Sequence, residues 1–164
     1  MLTVIALDPG GTTGWSMFRA EVMPTPDGEE LFNARWSQGQ LGPHEHHDQL
    51  YGFLELQQTM QTYVICEGFE YRNRARAGLV LVSKEYIGVA KLFCIRNKVS
   101  YGEQTAAQGK GFVKDANIKK LGMWMPGKPH ANDATRHLLW WLINAAPVSI
   151  KDNLREPLLE KGWK

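Results

Sequence analysis

The chain has 164 residues, 43% of them hydrophobic, and a formal net charge of +2. That length supports one domain with a single core, and that composition excludes a disordered or collagen-like chain. No apolar stretch approaches the ~20 residues of a membrane span and the N-terminus lacks a signal-peptide pattern, so a cytoplasmic protein is expected.

The net charge conceals an asymmetry. Residues 1–71 carry 2 basic against 10 acidic side chains, whereas residues 72–120 carry 11 against 3. A basic middle third after an acidic start points to a polyanion along one face; the alternative is a solvated basic helix. Cys66 and Cys94 lie in apolar runs, so buried reduced thiols are expected.

Leu2-Thr3-Val4-Ile5-Ala6-Leu7 reads as a buried strand, closed by Asp8. A carboxylate at the edge of such a strand is costly without a partner. Pro9-Gly10-Gly11-Thr12-Thr13-Gly14 then turns the chain, and Trp15-Ser16-Met17-Phe18 returns as a second strand. Asp8 therefore stands at the tip of a hairpin, either as a metal ligand or catalytic acid or as a cap on its own turn. Residues 23–30 read as a hairpin loop and 33–41 as a third strand. The spacing of Leu50, Phe53, Leu54 and Leu56 predicts a helix over 44–60. His44, His46 and His47 at its start face different directions, so solvated side chains are expected there rather than a metal site.

Thr62–Cys66 is apolar and β-branched, as a buried central strand should be, and it ends in Glu67. Arg72, Arg74 and Arg76 follow. A long helix is predicted over 78–97, with Leu79, Val82, Tyr86, Ala90 and Phe93 on one stripe and Lys84 and Lys91 on another. Residues 99–103 form a short strand, and 105–113 a loop and helical turn carrying Lys110. A helix over 115–124 bears Lys119 and Lys120. Pro126-Gly127-Lys128-Pro129 breaks the chain before a last helix over 130–145, which Pro147 ends. Residues 1–146 thus make one domain and 147–164 a polar tail of undefined structure. Three antiparallel strands, then helix, strand, helix, strand and two helices, predict an α/β fold with a mixed sheet flanked by helices.

Asp8 and Glu67 each end a strand, while His130 and Asp133 stand three apart at the start of the last helix and share a side. Hard cations such as Mg²⁺ take carboxylate oxygens. Two ions bridged by shared carboxylates can activate a water and stabilise the leaving oxygen of a phosphodiester. A site of that kind is assembled from distant stretches, as these are.

The motifs Ile5-Ala6-Leu7-Asp8-Pro9-Gly10-Gly11-Thr12-Thr13-Gly14-Trp15, Val64-Ile65-Cys66-Glu67 and His130-Ala131-Asn132-Asp133-Ala134, in that order, resemble the RuvC-like Holliday junction resolvases of the RNase H-like superfamily. The resemblance spans about residues 2–145. It implies an RNase H-like mixed sheet of three antiparallel and then two parallel strands. It also implies an endonuclease that resolves branched DNA by paired symmetric nicks, using Asp8, Glu67, His130 and Asp133 to hold two Mg²⁺ ions. Histidine at the first place of the last motif departs from the all-carboxylate version; Mn²⁺ is then a second candidate ion, or His130 acts on the water or leaving group. Glu70 rivals Glu67 but lies past the strand. His137, four beyond Asp133, is expected against neighbouring structure or solvent.

The resemblance further implies a role for Lys110 in stabilising charge on the scissile phosphate. Lys119 falls near a second basic position of the family, with Lys114 and Lys120 as competitors; for these lysines a backbone contact is the alternative. Arg72, Arg74 and Arg76 are expected on phosphates near the branch point. Tyr71, with Phe69 as the second choice, is expected to stack on an opened base pair. A twofold dimer would match the substrate's symmetry, paired through the helix at 78–97 with Gly88 permitting close approach.

Other readings are a nuclease for flaps, forks or RNA–DNA hybrids, and a non-catalytic DNA-binding scaffold. Asp8-Pro9-Gly10-Gly11-Thr12-Thr13-Gly14 also resembles the phosphate loop of actin-like ATPases, although 164 residues leave no room for the second domain that fold needs. The loop at 23–30 and the tail hint at a phage-borne lineage, which would place the protein in a host cytoplasm.

Overall fold

The computed structural model describes residues 1–24, 30–42, 46–68, 77–148 and 150–151, with backbone alone for 22–24, 30–32 and 77–81. Five strands form one sheet: β1 (Leu2–Asp8), β2 (Thr13–Pro24), β3 (Glu30–Leu41), β4 (Gln61–Glu67) and β5 (Ser100–Gln104). Their spatial order is β3-β2-β1-β4-β5. β1, β2 and β3 pair antiparallel, whereas β4 and β5 run parallel to β1. Four helices complete the described fold, α1 (His47–Gln57), α2 (Ala77–Asn97), α3 (Asp115–Lys120) and α4 (Pro129–Asn144), with a wide π-helical turn at Ala107–Gly111. This is the α/β mixed sheet expected from the sequence.

Every residue of β1 is buried, because the strand lies between β2 and β4 and is covered on both faces. The period-2 alternation of strand side chains divides the core in two. Val4, Ala6, Phe18 and Ile65 pack toward α3 and α4 with Ile118, Leu138, Leu139 and Leu142. Ile5, Leu7, Met17, Val64 and Cys66 pack toward α1 and α2 with Leu50, Leu54, Tyr86, Ala90 and Phe93. Cys66 and Cys94 are buried free thiols.

Several boundaries differ from expectation for local reasons. The pairing of β2 with β3 continues to Pro24 and Glu30, so residues 23, 24 and 30 of the expected loop are strand, and 25–29 lie outside the described residues. α1 stops at Gln57 because the Thr62 hydroxyl accepts from the Thr59 amide at 2.7 Å and donates to the Thr59 carbonyl at 3.0 Å. That local turn competes with helix. α3 ends at Lys120, four residues early. Gly122 takes φ +71°, and the amides of Gly122 and Met123 reach the Lys119 and Ile118 carbonyls, a left-handed helix stop.

His46 corrects the solvated reading of its cluster. It is fully buried, its Nε2 lies 2.9 Å from the Thr13 hydroxyl, and its ring stacks on Tyr86 at 3.9 Å. His47 stacks on the same ring and pairs with Glu85 at 3.3 Å, while His44 lies outside the described residues. At the other end of the chain, Ile150 packs into the core beside Ala146. Residues 152–164 lie outside the description.

Candidate active site

Strand register places the acidic side chains together. Leu7 is level with Cys66 on the parallel β1–β4 pair, so Asp8 and Glu67 end neighbouring strands side by side, and Glu67 is level with Gln104 on β5. Asp8 shares the parity of Val4 and Ala6, and Glu67 that of Ile65, so both face α4 rather than α2. The two carboxyl groups share the Lys110 ammonium and lie close enough to bear on each other's charge.

α4 brings the third group of ligand-type side chains. Asn132 holds its entry in place by donating to the Met125 carbonyl and accepting from the Met125 amide, both at 2.9 Å. Gly14 lets the first turn of α4 sit on β2 beside Asp8, since a Cβ there would lie 2.0 Å from the His130 carbonyl oxygen. His130 Nδ1 then donates to Asp8 Oδ2 at 2.7 Å. One turn on, the Asp133 carboxylate accepts from Arg136, whose guanidinium also donates to Asp115 at the start of α3 and to the Val113 carbonyl.

Lys110 lies at the centre. The π-helical turn aims its ammonium among three carboxylates, 3.0 Å from Asp133, 3.2 Å from Glu67 and 3.9 Å from Asp8. Such turns recur at functional sites because the extra residue redirects a side chain. Below the turn, the fully buried His137 donates from Nε2 to Glu67 Oε2 at 2.9 Å, and its Nδ1 lies 2.8 Å from Gln104 Oε1. A cavity of about 560 Å³ opens over the cluster, lined on the α2 side by Ser83 and Ile87.

The electrostatics follow from burial and crowding. Burial pushes the Asp8 carboxyl up, outweighing its bond to His130, and the neighbouring Glu67 charge adds to the rise. Burial also acts to raise Glu67, but the His137 and Asp8 hydrogen bonds overcome it and bring the carboxyl down to about 2. The two shifts run in opposite directions, so Glu67 is the more readily ionised of the pair. The bond to Asp8 holds the His130 imidazole above its ordinary value against the effect of burial. Burial disfavours the Lys110 ammonium, yet the charges of Asp8, Glu67 and Asp133 raise it.

Among the described residues, no three His, Cys, Asp or Glu side chains close round one point as ready-made metal ligands. The donor chemistry nevertheless fits a hard dication. Three carboxylates already converge on one cationic atom, and the same oxygens suit Mg²⁺ or Mn²⁺ once Lys110 withdraws.

Asp8, Glu67, His130, Asp133 and Lys110, expected to act together, are thus neighbours. Lys114, Lys119 and Lys120 are exposed on and beside α3, with the Lys119 ammonium 4.7 Å above the Trp124 ring. Phe69, Glu70, Tyr71, Arg72, Arg74 and Arg76 lie outside the described residues. His137 faces neighbouring structure as expected, and that structure is the site itself, Glu67 and Gln104. Sequence reasoning also passes over Arg136, whose signal is its place three residues after Asp133 on a helix, and Gln104, which carries none.

No family model matches the sequence, and no curated protein matches it in sequence. Solved structures do match. Thermus thermophilus RuvC aligns with a TM-score of 0.58 at 16% identity, covering 94% of this chain and 97% of that one. The fold is that of the RuvC-type resolvases. T. thermophilus RuvC in complex with Holliday junction substrate gives 0.58 and 16%, covering 93% and 96%. The yeast mitochondrial Holliday junction resolvase Ydc2 gives 0.54 and 12%, covering 96% and 83%. At these identities the likeness is one of fold, and the RuvC-like sheet order is the one that brings Asp8 and Glu67 together.

Proposed function

We propose that the chain is a metal-dependent endonuclease that resolves Holliday junctions and other branched DNA by paired symmetric nicks. The observation that carries this reading is the convergence of Asp8, Glu67 and Asp133 on one cationic atom at the strand ends of a RuvC-like fold. The resolvases of that fold supply the substrate class.

Asp8, Glu67, Asp133 and His130 would hold the ions, with Mg²⁺ or Mn²⁺ supplying charge to activate a water and to stabilise the leaving oxygen. The chain's own residues do the rest. Water adds to phosphorus and the bond from phosphorus to the leaving oxygen breaks. Asp8 fixes the His130 ring through Nδ1, leaving Nε2 to ligate or to exchange a proton with water. Lys110, drawn from the carboxylates by the substrate, faces the charge gathering on the non-bridging oxygens. Lys114, Lys119 and Lys120, with Arg72, Arg74 and Arg76, give the duplex arms a cationic path, and Tyr71 or Phe69 a stacking surface at the branch point. Two copies pair through the outer face of α2, where Gly88, Leu92 and Ile95 are exposed in one stripe.

Cleavage of a mobile four-way junction, a flap and an RNA–DNA hybrid, each at equal concentration in Mg²⁺, Mn²⁺ or EDTA, tests the reading. Paired nicks in the junction with either metal, and none in EDTA, are expected. Preference for the flap or hybrid would reassign the substrate, and cutting in EDTA would remove the metal.

A further inference from the structure

His137 joins three separate parts of the site. Its Nε2 meets Glu67 at the end of β4, its Nδ1 meets Gln104 at the end of β5, and its own helix carries Asp133 one turn earlier. The π-helical turn rests directly on the ring: a Cβ on Gly109 would lie 2.6–2.8 Å from three imidazole atoms, and Lys110 is the next residue. The ring is fully buried and so cannot trade these partners for water.

The donor logic settles which way the ring serves Glu67. With Gln104 Oε1 toward Nδ1, both ring nitrogens donate and Gln104 Nε2 is left buried with no partner among the described residues. With the amide turned over, that nitrogen donates to Nδ1 and a neutral ring donates from Nε2. In both arrangements the hydrogen on Nε2 points at Glu67 Oε2. The ring holds Oε2 and leaves Oε1 unbound by it, while Lys110 reaches both oxygens, Oε2 at 3.2 Å and Oε1 at 3.3 Å.

We infer that His137 is a positioning residue for the metal site, braced by Gln104: it fixes the Glu67 carboxylate with one oxygen presented to the ion and sets the height of the Lys110 turn. This rests on the metal reading above. A ligating carboxylate held by an outer hydrogen bond binds its ion more tightly, typically by about 10–100-fold in affinity.

The test measures Mn²⁺ binding to the whole chain without DNA, by calorimetry and by the electron paramagnetic resonance of free Mn²⁺. His137→Phe keeps a ring under Gly109 but removes the donor, and about a tenfold or greater loss of Mn²⁺ affinity is expected. His137→Gln restores an N–H toward Glu67 and should recover most of that loss, which a purely structural role would not produce. Gln104→Leu, one step further out, should give a smaller loss in the same direction and decides the matter if His137→Phe does not fold. Undiminished Mn²⁺ affinity in a folded His137→Phe protein, or in Gln104→Leu where that protein fails to fold, overturns the inference alone. If the wild-type chain binds no Mn²⁺, the metal reading falls and takes the inference with it.

Discussion

Asp8 and Glu67 stand side by side at the ends of two parallel strands and share the Lys110 ammonium, one carboxyl pushed up by burial and the other held down to about 2. Two like charges this close cannot both be carried in a buried site without a cation or a proton between them. The chain supplies the ammonium of Lys110, 3.2 Å from Glu67 and 3.9 Å from Asp8, and a dication would take its place.

The same shifts give a pH signature to the metal-free protein. His130 is held above its ordinary 6.5 by Asp8, so the pair stabilises fully below that value and is lost as pH rises through the folded one. Glu67 is held at about 2 against an ordinary 4.5, so its contribution is present above 4.5 and lost as pH falls toward 2. In EDTA the Tm should fall on both sides, with His130→Gln flattening the alkaline limb and Glu67→Gln the acid limb. An alkaline limb unaltered in His130→Gln would contradict the Asp8–His130 pair.

Two glycines should resist substitution to different degrees. An alanine at position 14 would put its Cβ 2.0 Å from the backbone oxygen of His130, which cannot yield; at position 109 it would meet the edge of the His137 ring at 2.6 Å. Urea denaturation should show losses of about 1–3 kcal/mol for overpacking of this kind, the larger for Gly14→Ala. Cleavage should fall in both, because each displaces a site residue.

Lys110→Gln removes the ammonium from among the carboxylates. Single-turnover cleavage should slow by about 10²–10³, the range for losing one donor to developing charge. The slope of junction affinity against salt should drop by about one contact. An unchanged rate would place Lys110 outside the chemistry.

The dimer proposal concerns the outer face of α2. Ile95 is 77% exposed and Leu92 45%, whereas Ile87, Tyr86 and Phe93 are taken up by the sheet and α1. Ile95→Glu should yield monomers in sedimentation velocity, and the two nicks in a junction should lose their coordination. A wild-type chain that sediments as a monomer at assay concentrations would exclude this pairing.

The strand ends are legible in the sequence because a continuous apolar, β-branched run and an abrupt acidic stop need only local information. Leu2–Asp8 and Thr62–Glu67 show this, and Asp133 follows from its spacing to His130. What lies opposite a side chain is not local. The four-residue step from Asp133 to His137 fixes a shared helix face, but Glu67 and Gln104 reach that face only through the β1–β4–β5 register. His46 reads as polar and exposed at a helix start, yet it is buried because Thr13 and Tyr86, 33 and 40 positions away, close over it. The Lys110 turn is visible as a helical segment, but its π geometry, and hence the aim of the ammonium, depends on Gly109 meeting a ring from α4.

The most direct measurement compares wild type with Asp8→Asn on one synthetic four-way junction, scoring binding in EDTA and strand cutting in Mg²⁺. Binding should be unchanged and cutting abolished, because the amide keeps the size of the carboxyl but cannot share a dication with Glu67 and Asp133. Cutting at the wild-type rate by Asp8→Asn would contradict the account.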